Sequence, residues 1–426
     1  MFNNLRVLWF CNTPSRYGAT SDKYNGGGWV SSLEEEIAPE VQLGVVFLTK
    51  ESELDPVRRH GKASWSVVRR NSVSYYPVLN GYDLTRKDRV RTLVWGDEIQ
   101  EKNLVDCFSD IVDSYRPDVI QIFGSEHLFG LITLHTDIPV VLHIQGILTE
   151  YSKVYLPPGI SLNRWLTTPF RFSLFFQRLY TFFKWNRGVE REDTILRGVE
   201  NFIGRTQWDK ECTLKVNPSA KYFYGGEILR PVFYESEPHL ADPETLTIVS
   251  TISEPPYKGL DVILLAGYLL RKRGVRFKWR VFGNVSPEFF ERISNVTVKR
   301  SGVTLEGVAD ASALCAALRS WTMYVHPSYI DNSPNSVCEA QILALPVIAA
   351  NVGGVPSLIE DGETGLLFPS GDAESLVGKI LSLNDDLDRR ASLGEKARQT
   401  ALVRHDKGTI VKNLLNTYAA IKEIDD

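Results

Sequence analysis

The sequence predicts an α/β protein that contains two doubly wound domains. Three observations support this prediction. Apolar runs of strand length alternate with longer amphipathic segments, the alternation restarts after a polar stretch near residue 240, and the chain of 426 residues is too long for one typical domain of about 150. Continuous Val, Ile and Leu runs suit parallel strands that helices cover on both faces. This alternation is typical of doubly wound sheets.

The first half of the chain contains five apolar runs that predict strands and an amphipathic segment that predicts a helix. The predicted helix covers 28–37, and the predicted strands cover 5–11, 41–48, 118–124, 139–145 and 201–206. The polar stretch 237–244 contains two prolines and is interpreted as a linker. We therefore place the first domain at residues 1–235.

The second half repeats the alternation. Strands are predicted at 245–252, 278–283, 322–328 and 346–350, and helices at 259–274 and 334–344. These elements predict a second domain at residues 243–405. The last segment, 407–426, has an apolar face and predicts a terminal helix.

Composition and charge narrow the function classes. The chain has 48 Lys and Arg against 52 Asp and Glu, a net charge of -4 that argues against a dedicated nucleic-acid binder. Its five cysteines are scattered without the spacing of a zinc or redox site, which suits a reducing compartment. The N-terminus lacks signal-peptide features, and no apolar stretch approaches membrane-spanning length. We expect a cytoplasmic protein, with any membrane contact peripheral and on the inner face.

One stretch, 164–187, differs from the rest, and we call it the aromatic–basic segment. It contains nine aromatic and five basic residues, and no acid occurs between Glu150 and Glu190. Two interpretations remain open. The segment is a helical pair that packs its aromatic side chains into its own domain, or it is a patch that binds anionic lipid headgroups. Nucleic-acid binding is a third interpretation that the overall charge disfavours.

Candidate binding residues lie in strand-to-helix loops, because open α/β sheets bind ligands outside the carboxyl ends of their strands. The glycines Gly26, Gly27 and Gly28 precede the first predicted helix, where backbone N–H groups could approach an anion. Lys258 lies at the start of another helix and could contact a diphosphate. The alternative for the glycines is a flexible loop without a binding role, and the alternative for Lys258 is an ordinary surface lysine.

The segment 333–349 presents another helix start. Ser333 is the expected N-cap and Pro334 the expected first helical residue. The positive end of this helix would face a phosphate, and the residues assigned to it are Asn335, Ser336 and Val337. Glu339, one turn further along, could bond ribose hydroxyls, and Asp331 a sugar hydroxyl. Taken alone, such a capped helix is mostly structural.

In order and spacing, these loops resemble the donor-binding half of retaining glycosyltransferases of family 4. The resemblance covers 246–405, including the glycine turn at 353–354. The family's pair of acids, separated by seven residues, corresponds to Asp331 and Glu339, with Asp replacing the first Glu. The family's diphosphate lysine corresponds to Lys258. The resemblance implies the GT-B fold, in which two Rossmann-like domains face each other across a cleft and the last helix crosses back to the first.

The first half resembles the family more loosely. The motifs GRT-x-WD at 204–209 and E-x-LR-x-x-FY at 227–234 recur in a subset of these enzymes, and we interpret them as fold and interdomain signatures without a catalytic role. Three positions depart from the family. The second diphosphate cation, usually an Arg about five residues before the Lys, is absent from 251–253. Gln145 replaces a usual His, with His143 two residues earlier, and Ser357 replaces a usual Glu.

The resemblance implies a retaining hexosyltransferase that moves a sugar from a nucleotide diphosphate sugar. The expected donor is a UDP-sugar. The implied acceptor is a glycan or lipid-linked glycan in polysaccharide or envelope biosynthesis. Lys258, Asp331 and Glu339 would form the catalytic site, and His127 and Gln145 are candidate acceptor or sugar contacts. We expect no metal and no cofactor. The alternatives are a GT-B nucleotide-sugar epimerase and a non-catalytic sugar-nucleotide-binding partner of a transferase complex.

Overall fold

A computed structural model describes residues 2, 4–17, 28–50, 56–80, 98–238 and 245–422 of the protein. Over these ranges the chain forms two α/β halves, each built on its own sheet. Gly26 and Gly27 lie outside the described residues, as does most of the predicted linker.

The first half contains a sheet of ten described strands with the order β10-β9-β8-β7-β1-β2-β6-β4-β3, in which β5 also pairs with β6. The strands are β1 Arg6–Cys11, β2 Gln42–Thr49, β3 Arg58–His60, β4 Ala63–Trp65, β5 Val68–Arg70, β6 Val73–Leu79, β7 Val119–Phe123, β8 Val140–His143, β9 Asn201–Gly204 and β10 Lys221–Tyr224. Strands β3, β4 and β5 are antiparallel additions at one edge, and the remaining pairs are parallel.

Helices cover both faces of this sheet. The helices of the first half are α1 Gly28–Ile37, α2 Glu98–Tyr115, α3 Leu148–Lys153, α4 Leu162–Thr167, α5 Phe172–Gly198, α6 Gln207–Val216 and α7 Pro231–Glu235, with a 3₁₀ turn at Leu128–Leu134. Of these, α7 packs on the second half, where Phe233 joins the core. The alternation of β1 explains the two-sided core: Val7 and Trp9 pack in one cluster, and Leu8 and Phe10 pack in another. Because both faces are buried, the strand is continuously apolar.

The second half has a six-stranded, wholly parallel sheet with the order β13-β12-β11-β14-β15-β16. Its strands are β11 Leu246–Thr251, β12 Phe277–Phe282, β13 Val303–Gly307, β14 Met323–His326, β15 Val347–Ala350 and β16 Leu366–Phe368. Its helices are α8 Leu260–Lys272, α9 Glu288–Ser294, α10 Val298–Ser301, α11 Ala311–Arg319, α12 Asn335–Ile342, α13 Ala373–Asn384 and α14 Leu387–Arg404, with 3₁₀ turns at Pro256–Lys258 and Val355–Ser357.

The terminal helix α15, Lys407–Lys422, packs on the first half rather than the second. Its buried residues Ile410, Leu414 and Tyr418 join the same cluster as Trp9. The indole Nε1 of Trp9 donates to the Tyr418 hydroxyl at 3.0 Å. The first strand β1 and the helix α15 therefore lie in the same half.

Candidate functional site

A cavity of about 260 Å³ lies where the two halves meet, and we call it the cleft cavity. The first half contributes Gly28, Trp29 and Arg230, among others. Residues predicted from the sequence line the opposite side, at the carboxyl ends of β11 and β14. They are Lys258, Asp331, Asn335, Ser336 and Glu339. The structure thus brings together six of the eleven predicted site residues, counting Gly28.

Asp331 is a buried carboxylate in this cavity that contacts side chains from both halves. Its Oδ2 accepts from Lys258 Nζ at 2.7 Å and lies 3.1 Å from His326 Nε2. The Tyr151 hydroxyl, from the first half, donates to Oδ1 at 3.4 Å. Burial opposes ionisation, but Lys258 and His326 outweigh it and hold the pKa of Asp331 well below its ordinary value. Asp331 is therefore an anion at neutral pH.

The loop that carries Asp331 depends on a glycine in the neighbouring turn. Gly353 has a φ of +51°, and a Cβ built on it would lie 2.1 Å from the Asp331 carbonyl oxygen. The next N–H, that of Gly354, donates to the same carbonyl at 2.9 Å. A side chain at 353 would push this loop away, so the turn fixes the position of the Asp331 carboxylate.

Glu339 forms a two-pronged ion pair with Arg230. The Arg230 Nε and Nη2 atoms donate to the two carboxylate oxygens at 2.8 Å each. Burial raises the pKa of Glu339, and Arg230 offsets part of that effect. Arg230 belongs to the motif E-x-LR-x-x-FY, which we interpreted as a fold and interdomain signature without a catalytic role. Its ion pair across the halves agrees with the interdomain interpretation, and the structure adds that Arg230 lines the cavity.

The start of α12 differs from the prediction in detail. The helix begins at Asn335 with Pro334 at the N-cap position and no side-chain cap, so the expected Ser333 cap is wrong. The Ser333 hydroxyl instead donates to Glu227 at 3.3 Å. Val337 does not line the cavity, because its side chain lies in the core and its N–H donates to Pro334 at 2.9 Å. Of the three residues assigned to this helix start, Asn335 and Ser336 line the cavity.

The motif GRT-x-WD joins the halves just behind the cavity. The Thr206 hydroxyl donates to Asn332 Oδ1 at 2.6 Å, and Asn332 Nδ2 donates to Asp209 at 2.8 Å. Arg205 forms a buried ion pair with Glu227. These contacts explain why the motif contains polar residues that are fully buried, and they agree with its interpretation as an interdomain signature.

A second cavity, of about 710 Å³, lies beside the first, and we call it the side cavity. His127 and Gln145 line it, separated from the other predicted residues except Lys258, which lines both cavities. Burial, followed by the nearby cations Arg191 and Lys184, lowers the pKa of His127 to about 4. Burial raises the pKa of neighbouring Glu126 to about 7. This cavity therefore offers a neutral imidazole and a carboxyl group that titrates near neutrality.

Sequence reasoning missed Arg230, His326 and Glu126 as cavity residues. The motif around Arg230 was visible, but its ion-pair partner lies 109 residues away. His326 ends β14 directly before the Pro-Ser of the family segment, and that position was the available signal.

The described residues contain no group of three or more His, Cys, Asp or Glu side chains that could hold a metal ion. None of the helices in the described ranges is both long and apolar enough to cross a membrane.

Comparison with known proteins supports the family assignment. Residues 243–386 match the family described as Glycosyl transferases group 1. A D-inositol 3-phosphate glycosyltransferase of Corynebacterium aurimucosum is 31% identical over 148 residues, which are 33% of this chain and 35% of that protein. The matches span from about a fifth to under half of the length of the curated relatives.

Solved structures resemble the whole described chain. Sucrose-phosphate synthase of Thermosynechococcus elongatus has a TM-score of 0.72 at 16% identity, covering 98% of this chain and 99% of that one. HepE of Anabaena, in complex with UDP-glucose, has a TM-score of 0.63 at 15% identity, covering 98% and 100%. The described chain therefore has the GT-B fold, and within it residues 243–386 match the Glycosyl transferases group 1 family.

Proposed function

We propose that this protein transfers a hexose from a nucleotide diphosphate sugar to a glycan or lipid-linked glycan, with retention of anomeric configuration and without a metal ion. One observation carries the proposal: Lys258, Asp331, Glu339 and the start of α12 converge on a single cavity between the halves. The likeness to HepE in complex with UDP-glucose supports UDP as the nucleotide.

The cleft cavity suits the departure of a diphosphate. Lys258 and the first N–H groups of α12, at Asn335 and Ser336, would stabilise the charge that develops on the leaving phosphate. Glu339 would accept hydrogen bonds from ribose hydroxyls, and Asp331 from donor-sugar hydroxyls. The bond from the anomeric carbon to the phosphate oxygen breaks, the acceptor oxygen bonds to that carbon on the same face, and the acceptor proton passes to the departing phosphate.

The side cavity is the proposed acceptor site. It meets the cleft cavity at Lys258, so an acceptor hydroxyl there could reach the anomeric carbon. His127 and Gln145 would bond acceptor hydroxyls, with His127 neutral at physiological pH. Part of the wall comes from α5, which also carries residues 172–187 of the aromatic–basic segment.

Thermal-shift measurements with UDP, GDP, ADP and their sugars test the donor assignment. We expect stabilisation by one nucleotide series, since a ligand that binds only the folded state raises its stability. Incubation of that sugar nucleotide with candidate glycans should then release the nucleoside diphosphate. Binding without turnover or hydrolysis would favour the non-catalytic alternative, which the missing cation at 251–253 supports.

We also propose that the aromatic–basic segment contacts an anionic membrane. Four of its phenylalanines are exposed: Phe170 at 67%, Phe172 at 73%, Phe176 at 47% and Phe183 at 42%. Arg164, Arg171 and Lys184 of the same segment are exposed as well, with Arg171 paired to Glu288 at 3.0 Å and Lys184 at the edge of the side cavity. Exposed aromatic and basic side chains together suit a lipid interface.

The remainder of the segment has a packing role. Phe175, Phe182 and Trp185 pack against a core cluster that is built mostly by the second half, and the Trp185 ring centroid lies 6.3 Å from that of Tyr257. This corrects the interpretation that the aromatic residues pack into their own domain. Arg178 is not a lipid-facing base, because it donates to the Thr168 carbonyl at 2.7 Å and stacks on Trp165 and Phe289. The membrane proposal therefore rests on the exposed residues alone.

Co-sedimentation with phosphatidylserine vesicles tests this contact. Replacing Phe172 and Phe176 by Ser should weaken binding by about tenfold or more, because each loses apolar surface that would enter the interface. Arg197→Gln, at the far end of α5, is the control and should bind like the wild type. Wild-type protein that stays in solution at low salt would end the membrane proposal.

A further inference from the structure

The cleft cavity has few permanent positive charges for a site that would hold a diphosphate. Thr251, Ile252 and Ser253 line it where a second cation would be expected. Among its described lining residues, only Lys258 and Arg230 carry a permanent positive charge. Lys258 is already bonded to Asp331 at 2.7 Å.

Arg230 enters the cavity from the other half of the protein. It directly precedes α7, and the carbon stem of its side chain lies against α1, since a Cβ on Gly28 would be 3.1 Å from both its Cγ and Cδ. Its guanidinium also stacks on the Phe233 ring at 4.8 Å. These contacts hold the guanidinium in place without filling its hydrogen-bonding capacity.

Arg230 and Glu339 both keep hydrogen-bonding groups that a ligand could use. A guanidinium has five N–H donors, and the ion pair with Glu339 uses one on Nε and one on Nη2. Each Glu339 oxygen likewise keeps one lone-pair direction beyond that bond. The pair can therefore stay intact while Arg230 donates to a phosphate and Glu339 accepts from a ribose.

We propose that Arg230 is the second diphosphate-binding cation of this site, supplied by the first half in place of the one absent from 251–253. This inference rests on the proposed function. The Arg230–Glu339 pair has no net charge, so Arg230 acts through direct hydrogen bonds at short range. Since it comes from the opposite half, a bound diphosphate would also tie the two halves together.

A phosphate ladder tests the inference. Calorimetric titration of the full chain with uridine, UMP and UDP measures how much affinity each phosphate adds. Arg230→Met should lower UDP affinity by about 10–100-fold, the scale of a hydrogen bond to a charged group, and change uridine affinity less than about threefold. Arg230→Lys should lie between Arg230→Met and the wild type.

Two controls separate this role from a structural one. Arg280 lies in the second half, pairs with Glu306 at 2.6 Å and stacks on Trp321, but does not line the cavity, so Arg280→Met should keep wild-type affinities. Because Arg230→Met leaves Glu339 buried without its partner, the substitution is repeated in a Glu339→Gln background. There too the ratio of UDP to uridine affinity should fall.

The outcomes are distinct. Equal losses for uridine and UDP would overturn the inference, because Arg230 would then only orient Glu339 against the ribose. Unchanged UDP affinity in both backgrounds would overturn it as well. If UDP does not bind the wild type, the ladder is run with the GDP or ADP series. Wild-type protein that binds none of the three diphosphates would overturn the proposed function and this inference with it.

Discussion

Lys258 and Asp331 form the central ion pair of the cleft cavity, and we expect their contributions to stability to be strongly coupled. Their charged atoms are 2.7 Å apart, and their side chains are 20% and 10% exposed. A hydrogen bond between charged groups contributes about 1.5–3 kcal/mol, and a buried charge without its partner is strongly destabilising. We therefore expect Lys258→Met to destabilise the protein by about 2–4 kcal/mol.

The double variant with Asp331→Asn should lose less than the sum of the two single variants, because it leaves no unpaired buried charge. The interaction free energy in this cycle should be about 1–3 kcal/mol. Urea unfolding of the four proteins without nucleotide measures it. Lys379→Met is the matched control: its partner Asp361 is 3.8 Å away and half exposed, so stability should hardly change.

The same variants also test catalysis. Lys258→Met should lower the transfer rate by about tenfold to a thousandfold, as for loss of one contact to developing charge. Asp331→Asn should lower the rate and leave the affinity for free nucleoside diphosphate nearly unchanged, since it would hold the sugar. Purely additive stability effects, together with unchanged rates, would refute the assignment of this pair.

Three further predictions concern pH, the terminal helix and the loop beside Lys258. The depressed pKa of Asp331 contributes stability that is present above its unfolded pKa of about 3.9 and is lost as the pH falls further. Thermal unfolding between pH 5 and 2 should therefore show a shallower acid decline for Asp331→Asn. Tyr418→Phe should destabilise by about 1–3 kcal/mol in urea, because buried Trp9 loses its acceptor. Gly259→Ala should weaken both nucleotide binding and thermal stability, because this residue has a φ of +77° and its Cβ would lie 2.3 Å from the Pro327 carbonyl oxygen.

Much of the fold could be predicted because its strands are continuous apolar runs. The helix Gly28–Ile37 has the predicted bounds, and β11 lies within its predicted range of 245–252. The edge strand Arg58–His60 could not be found in this way, since it is short and polar and exists through pairing with β4. Local sequence carries little information about such edge additions.

The site shows the same division between local and long-range information. Lys258, Asp331 and Glu339 could be located because each follows a parallel strand in a recognisable order. Arg230 could not, because its role depends on how the halves meet. The prediction of Ser333 as N-cap was wrong for a related reason, since the Ser333 hydroxyl donates to Glu227 of the first half. The conformations of residues between the two halves depend on long-range contacts, which cannot be inferred from spacing along the sequence.

The return of α15 to the first sheet means that the second half is, in topology, an insertion within the first. Two covalent connections therefore cross between the halves, one before Leu246 and one after Arg404. The two connections lie close together, since the Tyr234 hydroxyl donates to the His405 carbonyl oxygen at 2.9 Å, and a pair of connections restricts relative motion of the halves more than a single linker would. The same arrangement decides which fragments of the protein keep a whole sheet. A fragment ending near residue 235 would lack Tyr418 and would expose the face of the first half that α15 covers. Removing the segment between the two connections, in contrast, would interrupt neither sheet.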